Sequence, residues 1–486
     1  MARVVILGAG ISGHTAALHL RRLLAKQHEV VVVSPNADYN WIPSNIWVGV
    51  GRMNAGQVTF PLAPVYRKKK IDFRQAKAVE LWPEGDGANN RPTVEIEYTL
   101  PGRAGERERV DYDYLINATG PKLNFAATPG LGPDSGYSVS VCTASHATHA
   151  AAKFEEVIAR LERGEPQRLV IGVGHGTCTC EGAAIEYAFN VEHELRSRGV
   201  RELAEVIYLT NEYELGDFGV GGMTFAQNGF LTTSQLWTES LFKEREVTAI
   251  LGAHVQRVEP GKVFYETLSG EEGVLEFDFA MLLPPFRGQD LTAFDRGGTD
   301  ISSEMFAPNG FLKVDADYGP KPYDQWKASD WPSTYVTPKY PNVFGVGIAF
   351  APPHPISKPR KAPNGTVISP APPRTGMPSG LMGRQVARSI ADMIQNGATA
   401  PTHTASMADM GAACVASAGA GWRQGTAASM TMYPVVPDQA RFPGYGRSLT
   451  DTTGELGLAG HWVKHLLHYM FIYKAKGRPG WSFIPE

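Results

Sequence analysis

A short β-branched run at residues 4–7 passes straight into Gly8, Gly10 and Gly13, spaced as G-x-G-x-x-G. A helical apolar pattern follows through Ala17, Leu18, Leu20 and Leu24, and a second strand-like run occupies 29–33. Strand, glycine turn, helix and strand in this order is the context in which the glycine spacing marks a dinucleotide-binding turn. Gly8 permits the tight turn, Gly10 lets backbone approach a pyrophosphate, and Gly13 lets helix and strand pack closely. The free N–H groups of the helix N-terminus then face the phosphates. The second strand ends in Ser34-Pro35-Asn36. A hydroxyl therefore stands where an acidic residue ordinarily holds a ribose.

The pattern returns once. A buried-strand run at 168–173 leads into a glycine-rich turn at 172–176, and a helix is expected from about 180 to 198. Two such units about 160 residues apart predict a duplicated α/β architecture. The second copy is altered: counting on from Gly172 and Gly174, the third glycine position falls on Thr177, with Cys178 and Cys180 just beyond. Further strands fit 112–116, 206–209, 249–251, 279–283 and 342–347. Eight prolines between 351 and 373 exclude helix or central strand there, leaving a lid or a surface loop. A helix is expected from Arg374-Thr375-Gly376 to about 394.

Lys and Arg number 46 against 49 Asp and Glu, a net charge of −3. Nucleic-acid modules carry a basic excess, so no such partner is expected. Four cysteines in 486 residues are too few for a disulfide framework. No apolar run reaches the roughly 18 residues a membrane span needs. The N-terminus shows no leader pattern, which makes a cytoplasmic location the default expectation. At 457–474, Leu458, Trp462, Val463, Leu466, Leu467, Met470 and Tyr473 share one helix face. His461, Lys464, His465, His468 and Lys474 lie opposite or at its border, and Lys476, Arg478 and Trp481 follow. The pattern suits a helix lying in a membrane surface with basic anchors. It equally suits a helix packed on its own domain or on a partner subunit. His146 and His149, like His461, His465 and His468, can share helix faces, but no Asp, Glu or Cys completes a ligand set. No metal is expected.

Seven segments together carry a family likeness: VVILGAG at 4–10, WIPSNIWVGVG at 41–51, INATGPKL at 116–123, SVCTASHA at 140–147, CEGAAIEYAF at 180–189, GVGIAF at 345–350 and MADMG at 407–411. The chain resembles the sulfide:quinone oxidoreductases, FAD enzymes with two dinucleotide-binding domains. The resemblance implies an α/β fold with two Rossmann-like domains and a C-terminal amphipathic, membrane-binding helical region. The expected division is 1–124 and 286–400 for the FAD-binding domain, 125–285 for the second Rossmann-like domain, and 401–486 for the C-terminal region. FAD is the expected cofactor, with Gly8, Gly10, Gly13, Ser34, Asn45, Thr119, Gly120, Gly347, Ile348 and Arg374 as its contacts.

The resemblance further implies sulfur chemistry at Cys180, with Cys142 as a third cysteine of variable role. Where some relatives place the partner cysteine, this chain has Ser406, and Cys414 lies shortly after it. Cys414 is the favoured partner of Cys180, and Cys178 the alternative. Glu186 and His146 are the expected proton-handling groups. Hydrogen sulfide, a quinone and a peripheral membrane surface are the expected partners, with a homo-oligomer left open. Two other activities stay in view. One is a type II NADH:quinone dehydrogenase, which needs an intact second glycine turn and an acidic residue after it. The other is a flavocytochrome c-type sulfide dehydrogenase.

Overall fold

The computed structural model describes all residues except 88, 180, 375, 420–422 and 424. The N-terminal unit forms as expected: β1 (Arg3–Leu7), α1 (Ile11–Leu23) and β2 (Glu29–Ser34). Val4 to Leu7 are wholly buried, as a parallel strand covered on both faces requires. The sheet continues through β3 (Asp72–Trp82), β4 (Thr93–Tyr98), β5 (Arg107–Asp111) and β6 (Tyr114–Asn117). β1 pairs in parallel with both β2 and β6, and β2 with β3. β4 and β5 extend the edge antiparallel.

After α2 (Ala144–Glu162) comes the second unit: β7 (Gln167–Val173), α3 (Glu181–Ser197), β8 (Ala204–Leu209), β9 (Thr248–Ile250) and β10 (Phe279–Leu283). Its four strands are all parallel, in the order β9-β8-β7-β10. The chain then returns to the first sheet, where β11 (Val343–Gly345) pairs in parallel with β6. α4 (Met377–Gln395) crosses α1 closely, since a Cβ on Gly383 would stand 2.3 Å from the Ser12 carbonyl oxygen. Only glycine fits that crossing.

The last layer is an antiparallel sheet of β12 (Ala412–Ala418), β13 (Thr426–Met432) and β14 (Thr453–Gly457), followed by α5 (Leu458–Ala475). This sheet lies between α5 and α3, and so brings the C-terminal region onto the second unit. Asn190 of α3 donates from Nδ2 to the Ser417 carbonyl at 2.6 Å and accepts from the Gly419 amide at 3.1 Å.

The faces of α5 divide as the sequence pattern indicates, but the polar one is inward. His461, Lys464, His465, His468 and Lys474 are buried, whereas Trp462, Val463, Leu466 and Tyr469 are exposed. The expectation of lysine anchors reaching from this helix toward lipid is therefore corrected for Lys464 and Lys474. Each has a buried carboxylate partner: Lys464 pairs with Glu186 at 3.0 Å and Lys474 with Glu486 at 2.7 Å. Trp481 is buried as well, edge-on to His19.

Candidate active site

The first glycine turn has one closed side and one open side. Gly8 holds φ +98, and a Cβ there would lie 2.2 Å from the Ala118 carbonyl oxygen; on Gly13 it would lie 2.1 Å from the Gly8 carbonyl oxygen. A Cβ on Gly10 would meet nothing within 4 Å, nor would one on Gly120 or Gly376. The turn is thus pressed against β6 behind and open in front, where the amides at the start of α1 point. This is the cradle a dinucleotide pyrophosphate needs, so the residues present fit FAD. Gly8→Ala is expected to cost about 3 kcal/mol or more through strain and backbone collision. The check is flavin absorbance per mole of purified protein, which should fall close to zero.

The other expected cofactor contacts divide into two groups. Thr119 and Ile348 are half-buried at the ends of β6 and β11, and the Thr119 hydroxyl donates to Asn117 Oδ1 at 2.7 Å. Gly347 holds φ +66 with Ser12 and Ser379 tight against it. Thr119 and Gly347 thus lie beside the first glycine turn and the start of α1. Asn45 does not, and its assignment is corrected. It is wholly buried, its Nδ2 donating to Asn40 Oδ1 and to the Val141 carbonyl, both at 3.2 Å. Its Oδ1 accepts from Asn40 Nδ2 at 2.9 Å. Its side-chain amide is thus bonded inside the protein, holding the chain at Val141, just before Cys142. Ser34 is likewise buried and accepts the Asn36 amide at 3.4 Å, and residues 35–38 beyond it are exposed. Arg374 is buried, donating to the carbonyls of Ile348 and Phe350, with Phe311 and Phe350 beneath its guanidinium. Its charge therefore stands at the end of β11.

The second glycine turn is covered. The proline-rich segment carries a small hairpin, Arg360–Lys361 with Val367–Ile368, and lies across this turn. The Ser369 amide donates to the Gly176 carbonyl at 2.8 Å and the Ala371 amide to the Cys178 carbonyl at 2.9 Å. Tyr213 fastens the segment from below, its hydroxyl 2.7 Å from the carbonyls of both Lys358 and Ile368, which share its one proton. An acidic residue, Glu212, does follow β8, but it is turned inward. Its carboxylate accepts from Tyr208, Thr210 and the Phe218 amide at 2.9–3.1 Å, and burial pushes its pKa up to about 7. No carboxylate oxygen is left over for a ribose. Proline content marks this segment as irregular; only the tertiary structure reveals what it covers.

The sulfur atoms have distinct settings. Cys180 lies outside the described residues, immediately before α3. Cys178 is wholly buried, its thiol donating to the Leu283 carbonyl at 3.2 Å, and burial holds its pKa far above the ordinary thiol value. Cys414 comes from β12, far along the chain, and its Sγ lies 2.7 Å from where a Gly182 Cβ would stand. Gly182 is two residues from Cys180, so Cys414 reaches the start of α3 from outside the second unit. Burial, and next the charge of Glu186, push the Cys414 pKa up to about 12; burial likewise takes Cys142 to about 11. Among the described residues no disulfide joins Cys142, Cys178 and Cys414 to one another.

Glu186 is one turn after Gly182 on the same helix face. Ser417 donates to its Oε1 from both Oγ (2.5 Å) and N (3.2 Å), and Lys464 donates to Oε2 at 3.0 Å. Removing one partner of such a buried pair leaves an uncompensated charge, at a cost of about 3–5 kcal/mol. The sequence pattern misses this ion pair, because Lys464 lies 278 positions from Glu186. His146, third from the start of α2, is half-buried edge-on to Phe125, and burial lowers its pKa. Among the described residues nothing hydrogen-bonds to Nδ1 of His146.

Between α4 and α5 lies a second pocket, lined by Trp41, Met377, Leu467 and Phe471, with Lys464 and His468 as its polar groups. Trp41 and Phe471 stack at 5.1 Å between centroids and 12° between planes. His468 is held by Ser44 Oγ at 2.8 Å, and Trp47 stacks on His465.

Known proteins share this fold. Residues 2–315 match the pyridine nucleotide-disulphide oxidoreductase family model. A sulfide-quinone reductase of Aquifex aeolicus is 30% identical over 393 residues, 81% of this chain and 77% of that one. The crystal structure of the sulfide:quinone oxidoreductase from Aquifex aeolicus superposes with a TM-score of 0.76 at 28% identity, covering 98% of this chain and 92% of the other. An external alternative NAD(P)H-ubiquinone oxidoreductase of Arabidopsis thaliana is 29% identical, but over only 26% of this chain and 21% of its own.

Proposed function

The chain belongs to the pyridine nucleotide-disulphide oxidoreductase family and, within it, to the sulfide-quinone reductases, and on that premise we propose that it oxidises sulfide to sulfane sulfur through FAD and a cysteine pair and passes the electrons to a quinone. The observation that carries this reading is Cys414 against Gly182 at the start of α3, two residues along the chain from Cys180. A pair drawn from β12 and the turn before α3 has the freedom to meet that a C-x-C pair lacks. Cys178, committed to the Leu283 carbonyl, is a packing residue.

Bound FAD supplies a two-electron carrier between the sulfur and quinone sites. The protein supplies everything around it. The glycine turn holds the pyrophosphate, and the Arg374 charge at the end of β11 favours a reduced, anionic ring. Hydrosulfide, ionised near neutrality, is the attacking group, and the cysteine it displaces leaves as a thiolate. The hydrosulfide attacks a bridge between Cys180 and Cys414, forming one S–S bond as the other breaks. The quinone enters between α4 and α5, where Trp41 and Phe471 present flat apolar faces. α5 lies on the membrane with Trp462, Val463, Leu466 and Tyr469 toward the lipid. Among the described residues no helix is long and apolar enough to cross a membrane.

The test is anaerobic stopped-flow of the yellow protein. Sulfide is expected to bleach the flavin within one turnover and a quinone to restore it. NADH at millimolar concentration is expected to leave it oxidised, because the second glycine turn is covered and Glu212 is committed internally. Bleaching by NADH and not by sulfide would reverse the assignment.

A further inference from the structure

The sulfur site and the quinone pocket meet at one ion pair. On α3, Gly182, Glu186 and Asn190 form a stripe one turn apart, and β12 runs along it. Cys414 stands against Gly182, Ser417 against Glu186, and the Ser417 carbonyl against Asn190. Glu186 thus stands one helical turn after the glycine that Cys414 touches. Its other oxygen holds Lys464, which lines the pocket between α4 and α5. Both members are nine-tenths or more buried, so bulk water is a poor proton source for either.

Proton bookkeeping makes this position consequential. Hydrogen sulfide becoming sulfane sulfur releases two protons and two electrons, and a quinone becoming a quinol takes up two of each. The overall reaction is proton-neutral, yet its halves lie on opposite sides of the Glu186–Lys464 pair.

We propose that Glu186 and Lys464 form an internal proton relay that carries a proton released at the sulfur site to the quinone. This rests on the function proposed above. In the relay an N–H bond of Lys464 breaks as an O–H bond forms on the quinone oxygen. The neutral amine then recovers a proton from the Glu186 carboxyl group, which has taken it from the sulfur side. Ser417 keeps the carboxyl aimed through both of its hydrogen bonds, as a positioning residue.

Lys464→Arg retains the positive charge and its carboxylate partner but does not release a proton in the physiological range. In Lys464→Arg, anaerobic reoxidation of the sulfide-bleached flavin by decylubiquinone is expected to slow about 100-fold, the scale of a lost general acid. Reoxidation by ferricyanide, which takes electrons without protons, should stay within about threefold. Decylubiquinone binding, followed by titration calorimetry, should also hold within about threefold. The neutral pair Glu186→Gln with Lys464→Met, which leaves no unpaired charge, should show the same split between acceptors. Wild-type quinone rates in Lys464→Arg would overturn the relay and leave Lys464 only a charge partner. An equal fall with ferricyanide would overturn it too, since the loss would not be protonic. Wild-type protein that sulfide bleaches but decylubiquinone fails to reoxidise would remove the proposed function itself, and the relay with it.

Discussion

Replacing Cys414 by alanine is expected to slow sulfide-dependent bleaching of the flavin at least about 10³-fold, the scale seen when a member of a covalent catalytic unit is removed. The expectation follows from placement. Cys414 is a buried thiol brought by β12 to the start of α3, and its pKa near 12 makes it inert as a free nucleophile at neutral pH. Its usefulness there lies in bonding to another sulfur, and Cys180 stands two residues from Gly182. Cys180→Ser should therefore match Cys414→Ala, and the double substitution should be no slower than either alone, because the two act as one unit. Cys178→Ser is the control. Its hydroxyl can still donate to the Leu283 carbonyl, so bleaching should stay within about threefold of wild type. Bleaching at full rate in Cys414→Ala, with loss in Cys178→Ser, would move the sulfur chemistry to the C-x-C pair.

What the sequence reveals and what it hides separate by distance along the chain. The strand–glycine–helix unit is legible because all its determinants fall within the first thirty-odd residues, and Gly8 and Gly13 sit in the tight places their spacing predicts. The second unit is legible for the same reason, including the odd residue at Thr177. Asn45 is misread because a polar residue in a family-like segment looks available, whereas Asn40 and Val141 use all of its hydrogen bonds. The covered second turn is hidden in a different way. Proline spacing shows that residues 351–373 are irregular, but the bonds of Ser369 and Ala371 to the turn join positions nearly 200 residues apart. Glu212 follows β8 as an ordinary ribose-binding acid does; only Tyr208, Thr210 and Phe218 show where it points.

The C-terminal helix shows the same limit in sharper form, and it leads to the second large effect. Periodicity separates the two faces of α5 but does not say which one faces the protein. Ordinarily the apolar face turns inward. Here the polar face does, since Glu186, Ser44 and Glu486 offer partners to Lys464, His468 and Lys474. The apolar side chains are left outside: Trp462 is 47% exposed, Val463 43%, Leu466 58% and Tyr469 50%. At roughly 1.5–3 kcal/mol for full burial of each, half-exposed side chains contribute together about 4 kcal/mol when lipid covers them, a partition of about 10³. Trp462→Glu with Leu466→Glu removes about half of that and sets two carboxylates against the acyl boundary. Co-sedimentation with neutral phosphatidylcholine vesicles is expected to fall at least about 100-fold, while bleaching by sulfide in solution holds, since neither side chain lines the sulfur site. Neutral vesicles are the informative choice, because Lys464 and Lys474 are paired inside and the attraction is apolar. If the double variant sediments as wild type does, this face of α5 does not carry the attachment, and the quinone must reach the Trp41–Phe471 pocket from elsewhere.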